Sequence, residues 1–130
     1  MMPLWDIFDY LTASGKNDIY KWAKQFDGER RGKLEAKLDT LRKQGMDVPK
    51  DLLPYLGKDI YKLKVQGKPQ LRPLLCRGIH NKDLKEFTIL IGAIEENDAF
   101  RPSDAVDQAG DRLSELLGNP NQRCEHKETC

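Results

Sequence analysis

The amino-acid sequence predicts a single α+β domain with an N-terminal strand, a helical hairpin, an antiparallel three-strand meander and a C-terminal helix. Two observations support this prediction. The spacing of apolar residues changes from a helical period before residue 45 to a period of two after residue 60, and the most continuous apolar run, residues 87–94, has the length of a buried strand. A chain of 130 residues suits one domain. We place this domain at residues 1–118 and a polar C-terminal tail at 119–130.

The first elements are a strand and a short helix. Residues 4–11 are rich in aromatic and β-branched side chains and are followed by turn-forming residues at 12–15, which predicts a strand. Asn17 or Asp18 is the predicted N-cap of the helix, and Gly28 follows its end. The apolar residues in between have the period of a half-buried helix: Ile19, Trp22, Ala23 and Phe26.

A second helix is predicted over residues 29–44. Its apolar stripe is Leu34, Leu38 and Leu41. Gly45 is the residue type that ends a helix in a left-handed conformation. Residues 46–57 contain two prolines and a glycine and are predicted to form a connecting loop.

Three strands of the meander follow. Residues 60–66 alternate between apolar and polar side chains, which predicts one apolar and one basic face. Residues 71–77 form the hairpin partner, where Pro73 marks an edge or a bulge because proline has no N–H to donate. Residues 87–94 are predicted to be a central strand buried on both faces. Strands joined by short turns pair antiparallel.

The C-terminal part combines acidic residues with one more helix. Residues 95–98 (EEND) are predicted to form an acidic loop. Ser103 is the predicted N-cap of the last helix and Gly118 its end. Residues 119–130 are polar and are predicted to be frayed.

The net charge of +1 conceals a segregation of charge along the chain. Residues 16–77 carry 16 basic and 8 acidic side chains, a net charge of +8, whereas residues 78–130 carry a net charge of −5. This asymmetry predicts a basic surface suited to a polyanion and a separate acidic surface. Two well-solvated helix faces of opposite sign explain the same numbers.

Cysteine usage and hydropathy favour a cytoplasmic protein without metal. Cys76 lies in an apolar stretch and is expected in the core. Cys124, His126 and Cys130 offer three soft ligands in the tail, fewer than the four of a structural zinc site, so no metal is expected. The first twelve residues carry no basic side chain, and no apolar run approaches the roughly 20 residues that span a bilayer, so neither a leader nor a membrane segment is expected.

Four segments occur in a characteristic order. They are residues 59–65 (DIYKLKV), 70–75 (QLRPLL), 87–93 (FTILIGA) and 101–109 (RPSDAVDQA). With the preceding helical hairpin, they resemble the RelE/ParE toxin superfamily, most closely its HigB-like, phage-derived branch. The similarity covers about residues 1–117.

The resemblance implies the toxin of a type II toxin–antitoxin pair, which inhibits translation by metal-independent mRNA cleavage on the ribosome. In this endoribonuclease reaction a ribose 2′-OH attacks the adjacent phosphate. The reaction needs a base, cations around the phosphorane and an acid for the leaving 5′-oxygen. The implied partners are a cognate helix-turn-helix antitoxin and ribosome-bound mRNA, with no membrane and no small-molecule cofactor.

The resemblance also assigns candidate site residues. Arg72 matches the arginine of the family's third strand and Lys64 the basic residue near the end of the preceding strand, so both are candidate catalytic cations. His80 is the candidate proton carrier. The candidate RNA-binding residues are Lys62, Lys68, Arg77, Arg30, Arg31 and Lys37.

Each of these assignments has a structural alternative. Lys62 and Lys64 also fit the solvated face of a half-buried strand. Arg72 also fits an ion pair with an acidic residue of the last helix, and His80 also fits a simple turn position.

The acidic run is a departure from the family. Where its members carry a strongly basic run, this chain has Glu95, Glu96 and Asp98, whose charge repels RNA. Lys62 likewise stands where the family usually has glutamate. A second hypothesis is therefore a catalytically inactive protein with the same fold that acts as a protein-binding module. A small-molecule enzyme or a metal-dependent nuclease lacks motif support, since the sequence has no glycine-rich phosphate loop and no paired metal ligands.

Overall fold

Three helices and two β-sheets form residues 4–127, the part of the chain that this computed structural model describes. The helices are α1 (Asp18–Lys24), α2 (Gly28–Gln44) and α3 (Ala105–Gly118), and a 3₁₀ turn covers Gly45–Asp47. The strands are β1 (Asp6–Tyr10), β2 (Tyr55–Gly57), β3 (Ile60–Lys62), β4 (Gln70–Leu71), β5 (Leu74–Arg77), β6 (Glu86–Ile91), β7 (Ile94–Glu96), β8 (Ala99–Arg101) and β9 (Arg123–Glu125). The predicted α+β class is thereby confirmed.

The larger sheet has six strands in the order β2-β3-β5-β6-β1-β9. Strands β3, β5 and β6 pair antiparallel, as the predicted meander requires. Strand β1 pairs parallel with β6, with Asp6 opposite Glu86, and is the one parallel neighbour in the described sheets. A smaller sheet has the order β4-β7-β8.

The helix boundaries follow from local capping. The side chain of Asn17 accepts a hydrogen bond from the Tyr20 N–H at the start of α1 (2.9 Å), which confirms one of the two predicted N-caps. Asp27 caps α2 by accepting from the Arg30 N–H (2.8 Å). Gly45 ends α2 with a φ of 57°, the positive sign expected there, but its ψ of −128° differs from the left-handed helical value, and the chain continues into the 3₁₀ turn.

The core contains the predicted apolar stripe and the predicted central strand. Leu34, Leu38 and Leu41 of α2 are buried, and all residues of β6 except the first are buried, which confirms burial on both faces. Trp5 stacks on Phe87 with ring centroids 4.9 Å apart. The N-terminal segment is therefore attached to the centre of the sheet.

All three meander strands are shorter than predicted, and β6 ends at Ile91, so that residue 94 of the predicted central strand belongs to β7 instead. Strand β3 ends at Lys62, although Val65 still forms a bridge with Leu71. The predicted strand 71–77 is divided at Arg72 and Pro73, so that β4 joins the smaller sheet and β5 the larger one. Pro73 lacks an N–H for the ladder, and the expected irregularity is present here as a register shift between Leu74 and Leu75.

Two loop predictions and one helix-cap prediction are wrong. Residues 55–57, expected in a loop, form β2 at the sheet edge. The expected acidic loop is a β-hairpin of β7 and β8 instead, because Asn97 and Asp98 both adopt positive φ (51° and 62°), which a tight hairpin turn requires. Helix α3 has Asp104 rather than Ser103 at its N-cap, without a side-chain capping bond.

The expectation of a frayed tail is also wrong for residues 119–127. Strand β9 pairs antiparallel with β1, and the backbone N–H of His126 donates to the Ile7 carbonyl (2.8 Å). This pairing occupies the free edge of β1 and buries His126, which the polarity of the segment does not reveal. Cys130 lies outside the described residues.

Gly45→Ala is expected to lower the free energy of unfolding by roughly 2–4 kcal/mol, because alanine is strained at positive φ and the added Cβ would overlap the Trp5 indole. The measurement is urea denaturation followed by circular dichroism. Gly32→Ala is the matched control, since a Cβ there meets no atom within 4 Å. It is expected to raise stability by about 0.5–1 kcal/mol. Equal shifts in both variants would contradict the packing argument.

Candidate functional site

Arg72 lies at the break between β4 and β5, and its side chain is only 3% exposed. A guanidinium has five N–H donors. All five are used, with acceptors at 2.8 to 3.3 Å: Glu95 Oε1, Leu71 O, Val65 O, Gln70 Oε1 and Gln66 Oε1. In this geometry Arg72 connects β4, β7 and the segment at Val65 and Gln66, and it has no N–H donor left for a phosphate. Its acidic partner comes from β7 and not from the last helix.

Glu95 lies between two cations. Its carboxylate accepts from Arg72 Nε at 2.8 Å and from Lys62 Nζ at 3.2 Å. Burial alone would raise the pKa of Glu95, but the hydrogen bonds and charges of Arg72 and Lys62 hold it below its ordinary value. Lys62 is 15% exposed and also lies 5.5 Å from the Phe100 ring centroid. The Lys62 ammonium is therefore engaged within the protein.

Lys64 and Lys37 come together in one cleft of about 320 Å³, which they share with Pro49, Asp51, Leu52 and Gln66. Lys37 is exposed on α2 and Lys64 is half-buried after β3. Among the ion pairs of residues 4–127, neither ammonium takes part. These two sequence-predicted residues therefore present cationic groups that a ligand can reach.

Arg30 is buried and fastens a loop to helix α2. Its guanidinium donates to the carbonyls of Gln66 (2.8 Å), Pro69 (2.5 Å) and Val65 (3.4 Å). A Cβ on Gly67 would overlap this guanidinium, so the close approach depends on glycine. Arg30 thus shapes the segment that precedes Arg72 and does not face solvent as an RNA ligand would.

His80 lies far along the sheet from Arg72. Strand β5 runs from Leu74, beside Arg72, to Arg77, a span of about 10 Å at the usual rise per residue. His80 follows in an exposed turn with a φ of 66°. Arg77 donates to the Lys82 carbonyl (2.7 Å) in the same turn. The predicted catalytic set of Arg72, Lys64 and His80 is therefore not assembled in this conformation.

The two remaining candidates lie apart from the Lys37 and Lys64 cleft. Lys68 lines an open cleft of about 670 Å³ together with Glu95, Glu96 and Arg101, so carboxylates surround it. Arg31 lines a small depression next to Glu35 and His126.

The sequence did not reveal a buried triad of ionisable groups. His126 contacts Asp9 through Nδ1 (2.7 Å to Oδ1) and Glu35 through Nε2 (3.0 Å to Oε2). Burial alone would lower the pKa of His126, but the hydrogen bonds and charges of both carboxylates raise it to about 9. The sequence shows only a polar C-terminal segment and does not indicate the triad, because Asp9 and His126 are 117 residues apart.

Each ring nitrogen of His126 faces a carboxylate, Nδ1 that of Asp9 and Nε2 that of Glu35. Within residues 4–127, no group of three or more His, Cys, Asp or Glu side chains is arranged to hold a metal ion.

Comparisons with protein-family models, curated proteins and solved structures found no match for this chain. No helix between residues 4 and 127 has the length and apolar character that crossing a bilayer requires.

The His126 triad is expected to make stability fall as the pH rises from 6.5 to 9. A histidine whose folded pKa is raised stabilises the fold fully below pH 6.5, and this contribution is lost as the pH passes through about 9. The shift corresponds to about 3 kcal/mol. Urea denaturation at several pH values measures it, with Glu35→Gln as the comparison. A fall of the same size in Glu35→Gln would contradict the assignment.

Replacing Arg72 by methionine is expected to lower the free energy of unfolding by roughly 3–5 kcal/mol, because its partner Glu95 and several acceptors lose their donor. Lys62→Met removes the weaker contact to the same carboxylate and is expected to cost about 1 kcal/mol. Thermal and urea denaturation measure both. A smaller effect for Arg72 than for Lys62 would show that the five bonds do not organise the fold.

Proposed function

We propose that this protein is the cytoplasmic toxin of a type II toxin–antitoxin pair and inhibits translation by acting on ribosome-bound mRNA. The observation that supports the proposal most is the order of the elements. An N-terminal strand, a helical hairpin, the antiparallel strands β3, β5 and β6 and a C-terminal helix occur in the order that the resemblance to the RelE/ParE superfamily implies, with the short strands β2, β4, β7 and β8 between them. The proposed partner that holds the toxin inactive is a helix-turn-helix antitoxin.

The charges around the meander also favour a polyanionic substrate. Lys37 and Lys64 present unpaired ammonium groups in a common cleft, and lysine contacts to phosphates supply most of the affinity for nucleic acid. Lys64 is the residue to which we assign charge stabilisation at the scissile phosphate. Arg72 is a positioning residue in this proposal, because it holds the backbone at Val65 through a hydrogen bond (3.3 Å).

The acidic run interferes with RNA less than the sequence suggests. Glu95 is neutralised by Arg72 and Lys62, and Glu96 pairs with Arg101 at 2.5 Å. Relative to the family pattern, the charges at two positions are exchanged. Lysine stands at position 62 in place of glutamate, and glutamate stands at position 95 in place of a basic residue. The exchanged residues contact each other, so the local charge balance is kept.

A second candidate function is that of a non-catalytic binding module with this fold. The observation in its favour is the full use of the Arg72 donors, together with the position of His80 at the other end of β5. A cleft of about 540 Å³ along α3 is lined by Asp59, Asp107 and Asp111 and also by Lys58, and this excess of carboxylates would suit a basic helix of a protein partner.

Induced expression in bacterial cells distinguishes the two candidates. For a toxin we expect growth arrest with new breaks within coding regions of mRNA, and restored growth when the antitoxin is co-expressed. Lys64→Gln is expected to reduce cleavage by about tenfold or more, because a cation near the phosphorane is lost. Lys43→Gln is the control, since it removes an equal charge from the exposed C-terminal end of α2.

Normal growth with abundant folded protein would contradict toxin function. Growth arrest with intact mRNA would favour the binding module. Equal cleavage by Lys64→Gln and the control would contradict the assigned role of Lys64.

A further inference from the structure

We propose that two adjoining clefts on either side of Pro49 form a nucleotide-recognition site for single-stranded RNA. In this site a base stacks on Tyr55 beside Tyr61, and Lys37 and Lys64 hold its phosphate. The proposal deepens the proposed function and rests on it, since it names how the RNA would be held.

The first cleft is the site for a base. It has a volume of about 290 Å³ and is lined largely by apolar side chains and the rings of Tyr55 and Tyr61. This volume lies at the lower limit for small-molecule pockets, so it suits one heterocycle rather than a larger ligand. Lys50 lies at the same cleft and adds a positive charge near the base.

Tyr55 has the properties of a stacking platform. It is 57% exposed, one of the few large apolar side chains that face solvent in the described residues. Strand pairing puts it directly opposite Tyr61, with ring centroids 5.0 Å apart. The Tyr55 hydroxyl accepts a hydrogen bond from the Asp59 N–H (3.0 Å), which restrains the ring. An aromatic ring held in place before binding loses little entropy when a base stacks on it.

The second cleft is the site for a phosphate. Lys37 and Lys64 line it, and Gln66 contributes a polar side chain. Asp51 also lines this cleft, so its carboxylate opposes part of the positive charge. Because Pro49 lines both clefts, the base and phosphate of one nucleotide can occupy them together.

The combination of rings and lysines favours single-stranded RNA over other polyanions. An acidic peptide would use the lysines but has no base to place on Tyr55. Bases in a duplex are already stacked and paired, whereas a single strand exposes its faces. Stacking on tyrosine also tolerates any base, which suits a site on RNA of varied sequence.

Fluorescence anisotropy with a labelled 12-nucleotide single-stranded RNA of mixed sequence tests the site. Tyr55→Leu is expected to weaken binding about tenfold, the usual effect of losing one base–aromatic stack. Tyr55→Phe keeps the ring but loses the bond from the Asp59 N–H that restrains it, so it is expected to weaken binding by only about two- to threefold, clearly less than Tyr55→Leu does. Lys37→Gln and Lys64→Gln should each lower the slope of log affinity against log salt by about 0.7, as one phosphate contact is lost. Lys43→Gln should change neither the affinity for RNA nor the slope of log affinity against log salt.

Inorganic polyphosphate is the second probe, because it has charge but no bases. Tyr55→Leu should bind it as tightly as the natural protein does, which also shows that the variant is folded. Equal weakening for RNA and polyphosphate, or no weakening for RNA, would overturn base stacking. Binding of polyglutamate as tight as that of RNA would show a general anion surface and would overturn RNA recognition.

Growth arrest in cells separates this inference from the proposed function. Arrest by a protein whose RNA affinity is insensitive to Tyr55→Leu overturns only the nucleotide site. Tyrosine-dependent RNA binding without arrest overturns only the toxin proposal.

Discussion

The buried guanidinium of Arg72 is the interaction on which the rest of this structure depends. A charged group can be buried only if its donors are satisfied, and here the five donors reach β4, the loop before it and β7. These bonds connect two strands of the smaller sheet, β4 and β7, with the segment that follows β3, next to the point where Pro73 interrupts strand pairing. They also bring Glu95 beside Lys62, which sets the charge of the surrounding surface.

This arrangement changes the meaning of the charge segregation along the chain. The basic region is not a uniform patch, because Arg30 and Arg72 are buried and Lys62 is paired. The acidic run is not a uniform repulsive surface either, because Glu95 and Glu96 have cationic partners. Among the sequence-predicted site residues, Lys37 and Lys64 share a cleft that a polyanion can reach. Its neighbour along the chain is the tyrosine pair, which extends this cleft with apolar stacking area.

Local signals were sufficient for the helices and the central strand. Asn17 caps a helix through a bond to an N–H three residues away, and the leucine stripe of α2 repeats within one helix, so both are visible in a short window of sequence. The turn at Asn97 and Asp98 is a local signal of the same kind, because Asn and Asp adopt the positive φ of a tight hairpin turn, but the run of acidic residues around it is equally typical of a loop. For the candidate site, the sequence identified Lys37 and Lys64 as cations but not their proximity.

The sequence by itself determined the α+β class, the order of helices and meander strands, and the residue types available for binding, because these depend on neighbours within a few residues. Only the tertiary structure decided the parallel pairing of β1 with β6, the burial of Arg72, the edge strand β9 and the His126 triad. The physical reason is the distance along the chain. Arg72 and Glu95 are 23 residues apart, and Asp9 and His126 are 117 apart. Such distant segments must pack together before it is decided which charged groups are buried as partners and which face solvent.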